Sequence, residues 1–126
     1  MNNVFVILWM IFFHIVDDYC LQVGWLSAGK QKSYWKEHAP DEMYKYDYIW
    51  ALLMHSFSWT FMIMLPIAYI LDFNVGFDFV LMFIANVAIH AFTDDAKANR
   101  KTINLWQDQI VHIIQIMFTV KFLLWW

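Results

Sequence analysis

Charge is what this sequence has least of. Only 15% of its 126 residues are Asp, Glu, Lys or Arg, while 62% are hydrophobic and 21% aromatic. A soluble domain of this size cannot hide so much apolar surface, because its surface-to-volume ratio forces most side chains outward. The lipid bilayer is the solvent that such a composition implies. The net charge of −3, with no basic stripe, argues against a nucleic-acid partner. A single cysteine, Cys20, excludes an internal disulfide framework. The N-terminus lacks a Lys/Arg-rich start and a small-residue cleavage site, so residues 1–16 are read as a retained helix rather than a signal peptide. Neither an internal repeat nor a linker long enough to separate two domains is visible, which leaves one domain over residues 1–126.

Four apolar stretches are present, at about 4–26, 48–71, 77–94 and 105–126. A hydrocarbon core of about 30 Å needs roughly 20 helical residues, and somewhat shorter spans are tolerated. The expected fold is therefore all-α, an antiparallel four-helix bundle integral to the membrane. "LDFNVGFD", with Asn74 and Gly76, marks a tight turn between the second and third helices. Lys30, Lys32, Lys36 and Lys45 lie between helices one and two, and Lys97, Arg100 and Lys101 between helices three and four. The other side has only Lys121 near it. The positive-inside rule places both basic loops in the cytoplasm and both termini outside, in an inner (cytoplasmic) membrane. Trp25, Trp50 and Trp106 at one level, with Trp125 and Trp126 at the other, read as two aromatic belts.

Against that background the polar residues stand out. A charged side chain at mid-membrane costs roughly 2.5–3.5 kcal/mol on insertion scales, so ionisable groups there face a bundle interior or an aqueous cavity. His14–Asp18, His90–Asp94 and Asp108–His112 are i,i+4 pairs, each on one helix face. His55 lies about two turns into helix two. Four alternating helices deliver all of these to one depth near the cytoplasmic side. Gln22 continues the first face and Lys97 the third. One such pair is more often an interhelical hydrogen bond than a metal site, but three pairs plus His55 exceed what helix association needs. His14, Asp18, His55, His90, Asp94, Asp108 and His112 are therefore candidate ligands for a divalent transition metal. Zinc ranks first, then iron or manganese. Asp17 and Asp95 sit beside the favoured aspartates on different faces, and their spacing leaves open whether they join the site or reach only the interface.

The same residues resemble a known family. "HIVDDYCLQVGWLSAGK" fits H-x3-D-[FY]-x2-Q-x2-W-x4-K, which takes in His14, Asp18, Gln22, Trp25 and Lys30. "HSFSWTF" supplies His55, "HAFTDDAK" reads H-x3-D-x2-K, and "DQIVH" reads D-Q-x2-H. In that order they resemble the small bacterial and phage membrane proteins catalogued as domain of unknown function 3307. The resemblance runs through nearly the whole chain and implies four membrane helices with a polar motif set, without an established reaction. The H-x3-D element is also similar to that of proteins labelled membrane-bound metal-dependent hydrolases.

The expected chemistry follows from the donor types. A His/Asp-held ion polarises a phosphoryl or carbonyl oxygen and activates water, so the leading expectation is a metal-dependent hydrolase. Its substrate would be a phosphorylated or lipid-like molecule at the cytoplasmic interface. Asp18, Asp94, Lys97 and Asp108 are the candidate catalytic groups, and Gln22, Lys97, Arg100, Lys101 and Gln109 the candidate substrate contacts. A non-catalytic accessory or effector protein, and a metal or proton carrier, are the alternatives. Beyond the bilayer and such a substrate, the sequence names no partner and leaves homo-oligomerisation open.

Overall fold

The structure, a computed structural model, describes residues 2–125. Met1 and Trp126, the latter assigned by sequence to the last helix and the outer aromatic belt, lie outside the described residues. Every regular element among the described residues is helical, so the protein is all-α. Four helices are long: α1 (Asn3–Val16), α4 (Asp47–Ile70), α5 (Phe77–Asp95) and α6 (Leu105–Leu124). The segment read as a polar loop folds into α2 (Trp25–Gly29), α3 (Lys32–His38) and a single 3-10 turn at Glu42–Tyr44.

Local sequence sets the helix ends. Asn2 caps α1 through its side-chain oxygen, which accepts from the Val4 backbone N–H. Asn104 and Gln107 form a reciprocal capping box at α6, each side chain accepting from the other's backbone N–H at 2.9 Å. The first helix does not run on to residue 26 as its apolar pattern implies. Its α-helical part stops at Val16 and opens into a π-helical turn, Asp17–Leu21, which the Gln22 N–H closes on the Asp17 carbonyl. The chain then breaks at Gly24, whose φ of +58° favours a residue without a Cβ. α5 ends in the same way, in a π turn at Ala96–Arg100 followed by a left-handed Lys101. Single π turns inside helices are uncommon and concentrate at functional sites. Here both lie next to paired aspartates. Between α4 and α5 the left-handed residues are Asp72 and Phe73, while Gly76 serves as the N-cap of α5.

Three segments are long and apolar enough to cross a membrane: Asn3–Leu21, Glu42–Ile70 and Phe77–Arg100. α6 has comparable length at 20 residues, but Asp108, Gln109, His112, Gln115 and Lys121 dilute its hydropathy. Most of these polar residues face inward. Asp108, His112, Gln115 and Thr119 are buried, at spacings of four, three and four that keep them on one face. Trp106, Ile110, Ile114 and Phe118 on the same helix are exposed.

The long helices pack on one another, α4 against α1 and α5, and α6 against α1, α4 and α5. At one end Val6, Ile63, Ile67, Met82, Ile116 and Val120 form a buried apolar cluster. These residues come from early in α1 and α5 and late in α4 and α6, so successive long helices run in alternate directions. At the other end the interior is polar. Deleting the side chain of fully buried Ile63 removes transfer energy and leaves a cavity. Ile63→Ala should lower stability by about 2–4 kcal/mol, against less than about 0.5 kcal/mol for exposed Ile114→Ala. Denaturant titration in mixed micelles measures the difference.

Candidate metal centre

The inward-turning polar residues converge where α1 ends, α4 begins, α5 ends and α6 begins. His14, Asp17, His55, His90, Asp94, Asp108 and His112 are all buried, and the Asp18 side chain is 11% exposed. The π turn after α1 brings Asp17 and Asp18, neighbours in sequence, both into the interior. Of the two positions its spacing leaves open, Asp17 takes the interior one. It is fully buried, and Ser58 donates to its Oδ2 at 2.6 Å.

Asp18 and Asp108 each have one oxygen engaged by the protein and another facing the cluster, while Asp94 Oδ2 does both. Asp108 Oδ2 accepts from Lys97 at 2.9 Å and from Gln109 at 3.0 Å, leaving Oδ1 without a partner. Asp18 Oδ2 meets Gln109 at 3.4 Å, and its Oδ1 is unpartnered. Asp94 Oδ2 accepts from Lys30 at 2.7 Å. Lys30, from the stretch read as a basic loop, is buried, and its ammonium also donates to Gln22. The burial of this motif lysine therefore reflects a charge pair with Asp94.

The histidines are oriented by a layer behind them. Trp59 donates its indole N–H to His14 Nδ1 at 2.8 Å. An indole nitrogen can only donate, so Nδ1 is the acceptor and Nε2–H donates to Gln109 Oε1 at 2.9 Å. Both His14 nitrogens are thus engaged, and its 3.5 Å approach to Asp18 sets a lone pair against a carboxylate rather than making an ion pair. His14 belongs to this supporting layer and drops out of the candidate ligand set. Behind His112, Thr119 donates to the Gln115 carbonyl at 2.7 Å and Asn86 donates to Thr119 Oγ1 at 2.8 Å. Gln115 in turn donates to Asn86, so its own Oε1 accepts from His112 Nδ1–H at 3.2 Å. That leaves His112 Nε2 bare. Metal-binding histidines usually donate their second N–H to a carboxylate or carbonyl in this way. Asp17 Oδ1 lies 3.5 Å from His55 Nδ1, and neither atom has a hydrogen-bond partner.

The unpartnered His90 and His112 Nε2 atoms, and His55 Nε2, face carboxylate oxygens. His55 Nε2 is 3.3 Å from Asp18 Oδ1 and 3.4 Å from Asp94 Oδ2. His112 Nε2 is 3.4 Å from Asp108 Oδ1 and 3.7 Å from Asp94 Oδ1, and His90 Nε2 is 3.7 Å from Asp94 Oδ2. His90 is fully buried with neither nitrogen partnered, its ring stacked between Trp59 and His112 at 4.2 Å from each. These separations exceed the common N–H···O distance of about 2.9–3.0 Å. Two donors held about 2.0–2.2 Å from one tetrahedral ion would be about 3.3–3.6 Å apart. The buried His/Asp groups can therefore hold a metal, and two triads have donor atoms within 4.8 Å of one another: Asp18–His55–His90 and His90–Asp94–His112.

A cavity of about 140 Å3 opens onto the cluster, with Asp18, His55 and Asp94 in its wall together with Gln22, Lys97 and Gln109. Arg100 and Lys101, expected as anion contacts, are not part of that wall. Arg100 is exposed, bonds the Phe92 carbonyl and pairs with Asp95, which also holds Asn99. Asp95 accordingly stays outside the cluster. A larger hollow of about 510 Å3 lies in the 32–48 segment, among Lys32, Lys36, Lys45 and three tyrosines. None of the clustered His/Asp residues lines it.

The sequence reading missed Trp59, Ser58, Asn86, Gln115 and Thr119. The Asp108–His112–Gln115–Thr119 spacing was a usable signal for two of them. No protein-family model, curated protein or solved structure matches the chain. Asp17→Ala should cost about 1–3 kcal/mol by leaving the Ser58 hydroxyl without its buried partner, while exposed Glu37→Ala should change stability by less than about 0.5 kcal/mol. Thermal unfolding of the two variants in one detergent measures this.

Proposed function

We propose that the chain is an inner-membrane antiparallel four-helix bundle of the kind catalogued as domain of unknown function 3307, found in bacteria and phage. In this reading it hydrolyses a phosphorylated or lipid-like substrate at the cytoplasmic interface by means of a divalent transition ion, zinc first. The observation that carries the reading is the convergence of unpartnered buried donors, His90 and His112 nitrogens with Asp18 and Asp108 oxygens, beside a cavity edged by Lys97. An apolar outer face and polar inner face on α6 support a fourth span despite its modest hydropathy. The clustering of Lys and Arg between α1 and α4 and between α5 and α6 supports cytoplasmic placement of that end.

His55, His90, Asp94 and His112, with Asp18 and Asp108, would hold the ion. Bound there, it supplies Lewis acidity and a water acidic enough to ionise near neutral pH. Lys97 spends one N–H on Asp108 and has two more to offer a phosphoryl oxygen. Asp18, in the cavity wall, would face the ion through Oδ1, leaving Oδ2, held only by a 3.4 Å contact from Gln109, to take the proton of an attacking water. As the water oxygen bonds to phosphorus and the ester P–O bond breaks, that proton passes to the departing oxygen. Lys30 holds Asp94 through a charge-assisted bond.

A second reading has its own support: the Lys30–Asp94 and Lys97–Asp108 pairs compensate part of the buried charge internally, as a non-catalytic accessory or effector protein would need. A carrier is disfavoured because the buried apolar cluster around Ile63 and Met82 fills the interior beyond the site.

Metal-loaded protein should cleave a phosphorylated amphiphile, lose that activity with chelator and regain it with zinc. Lys97→Ala should raise KM more than it lowers kcat. Silence across a broad phosphoester and lipid screen with the metal site full would leave the non-catalytic reading. Reporter fusions at Lys36 and Lys101 should read cytoplasmic and a fusion after residue 125 external; the reverse pattern would move the site to the other leaflet.

A further inference from the structure

The donors do not gather around one point. They fall into two triads joined by His90, and the Asp94 carboxylate lies between them with its two oxygens turned apart. Oδ2 faces His55 and His90, at 3.4 and 3.7 Å, on the side of Asp18. Oδ1 faces His112, at 3.7 Å, and His112 Nε2 in turn faces Asp108 Oδ1. Donors of one ion lie no more than about 4.5 Å apart even when trans, given metal–donor lengths of about 2.0–2.2 Å. The two ends of the set each satisfy that spacing through separate partners.

We propose that the centre holds two divalent ions bridged by Asp94, one toward Asp18 and His55 and the other toward His112 and Asp108, with His90 serving the pair. This rests on the metal-centre reading above and specifies it. Three features bear on the count. First, the carboxylates of Asp18 and Asp108 each keep one oxygen inward and unpartnered while the other is tied outward, the arrangement of terminal, one-oxygen ligands at either end of a bridge. Second, each end has its own imidazole: His112, oriented by Gln115, at one, and His55, whose Nε2 faces Asp18 Oδ1 and Asp94 Oδ2, at the other.

Third, the charges favour an anionic substrate. Asp17, Asp18, Asp94 and Asp108 carry four negative charges against two positive ones from Lys30 and Lys97. Two divalent ions turn that deficit of two into a surplus of two, close to the charge of about −1.5 to −2 on a phosphate monoester. Paired ions about 3.5–4 Å apart are the arrangement that clamps both the attacking and the departing oxygen of a phosphoryl group. The substrate class is thus a phosphate ester whose phosphoryl group fits the 140 Å3 opening, its remainder lying outside.

The test uses the full chain in lipid nanodiscs, loaded with Mn2+ and freed of excess. Elemental analysis should give two Mn2+ per chain, and electron paramagnetic resonance should give the broadened spectrum of an exchange-coupled pair. Asp108→Asn and Asp18→Asn should each reduce the content to one ion with the sharp six-line signal of isolated Mn2+. Asp94→Asn should abolish the coupling whatever content remains. One uncoupled ion in the unaltered protein would overturn the two-ion centre and leave the metal site standing. No bound ion at all would overturn both.

Discussion

The organisation of this protein depends on compensating carboxylates that sit among apolar helices. Four of them, Asp17, Asp18, Asp94 and Asp108, are wholly or largely buried, and an uncompensated ion in such surroundings costs several kcal/mol. Two lysines answer part of this demand: Lys30 reaches Asp94 from the segment between α1 and α4, and Lys97 reaches Asp108 across the end of α5. The remainder falls on oxygens that no protein donor meets. Asp94 is the junction, since one carboxylate faces a lysine and three imidazoles. The proposed ions supply the compensation that the side chains do not.

The rest of the fold can be understood as the scaffold for that junction. Apolar side chains on the outer faces, such as Phe12, Phe57, Ile84 and Phe118, are exposed, while the His and Asp residues of the site are buried or nearly so. At one end the interior closes over Ile63, Met82 and Val120. At the other, the π turn at Asp17–Leu21 brings two adjacent aspartates into the site, and Asn99, in the π turn after α5, ties the segment above it in place. Its side chain donates to the Lys30 carbonyl and accepts from the Lys32 N–H, fixing the backbone from which Lys30 descends. Trp59 joins the layers, stacking on His90 while its N–H fixes the tautomer of His14.

Much of this was legible in the sequence. The all-α class followed from composition and from the length of the apolar stretches, and the gathering of His90, Asp94, Asp108 and His112 followed from their i,i+4 spacing. What escaped has physical reasons. Periodicity assumes a regular helix, so it placed Asp17 on a different face from Asp18; the π turn at Asp17–Leu21 removes that difference. Lys30 lies among other lysines in a polar stretch, and nothing local distinguishes the one that turns inward. His14 matches the ligand pattern by type and spacing, yet it is committed by Trp59, 45 residues away in the chain, a contact that only the packing of α1 on α4 creates. Arg100 spends its guanidinium on the Phe92 carbonyl and Asp95 instead of the cavity, a pairing set by the π turn at Ala96–Arg100 that periodicity does not anticipate.

The central claim is that imidazoles and carboxylates from α4, α5, α6 and the π turn after α1 surround a metal. X-ray absorption at the zinc edge, on protein reconstituted in lipid and freed of excess ion, tests it most directly. The account predicts a shell of nitrogen and oxygen donors alone at about 2.0–2.2 Å, with the outer-shell scattering of imidazole rings. A shell containing sulfur at about 2.3 Å, which would implicate Cys20 instead, or protein that retains no zinc, would contradict it.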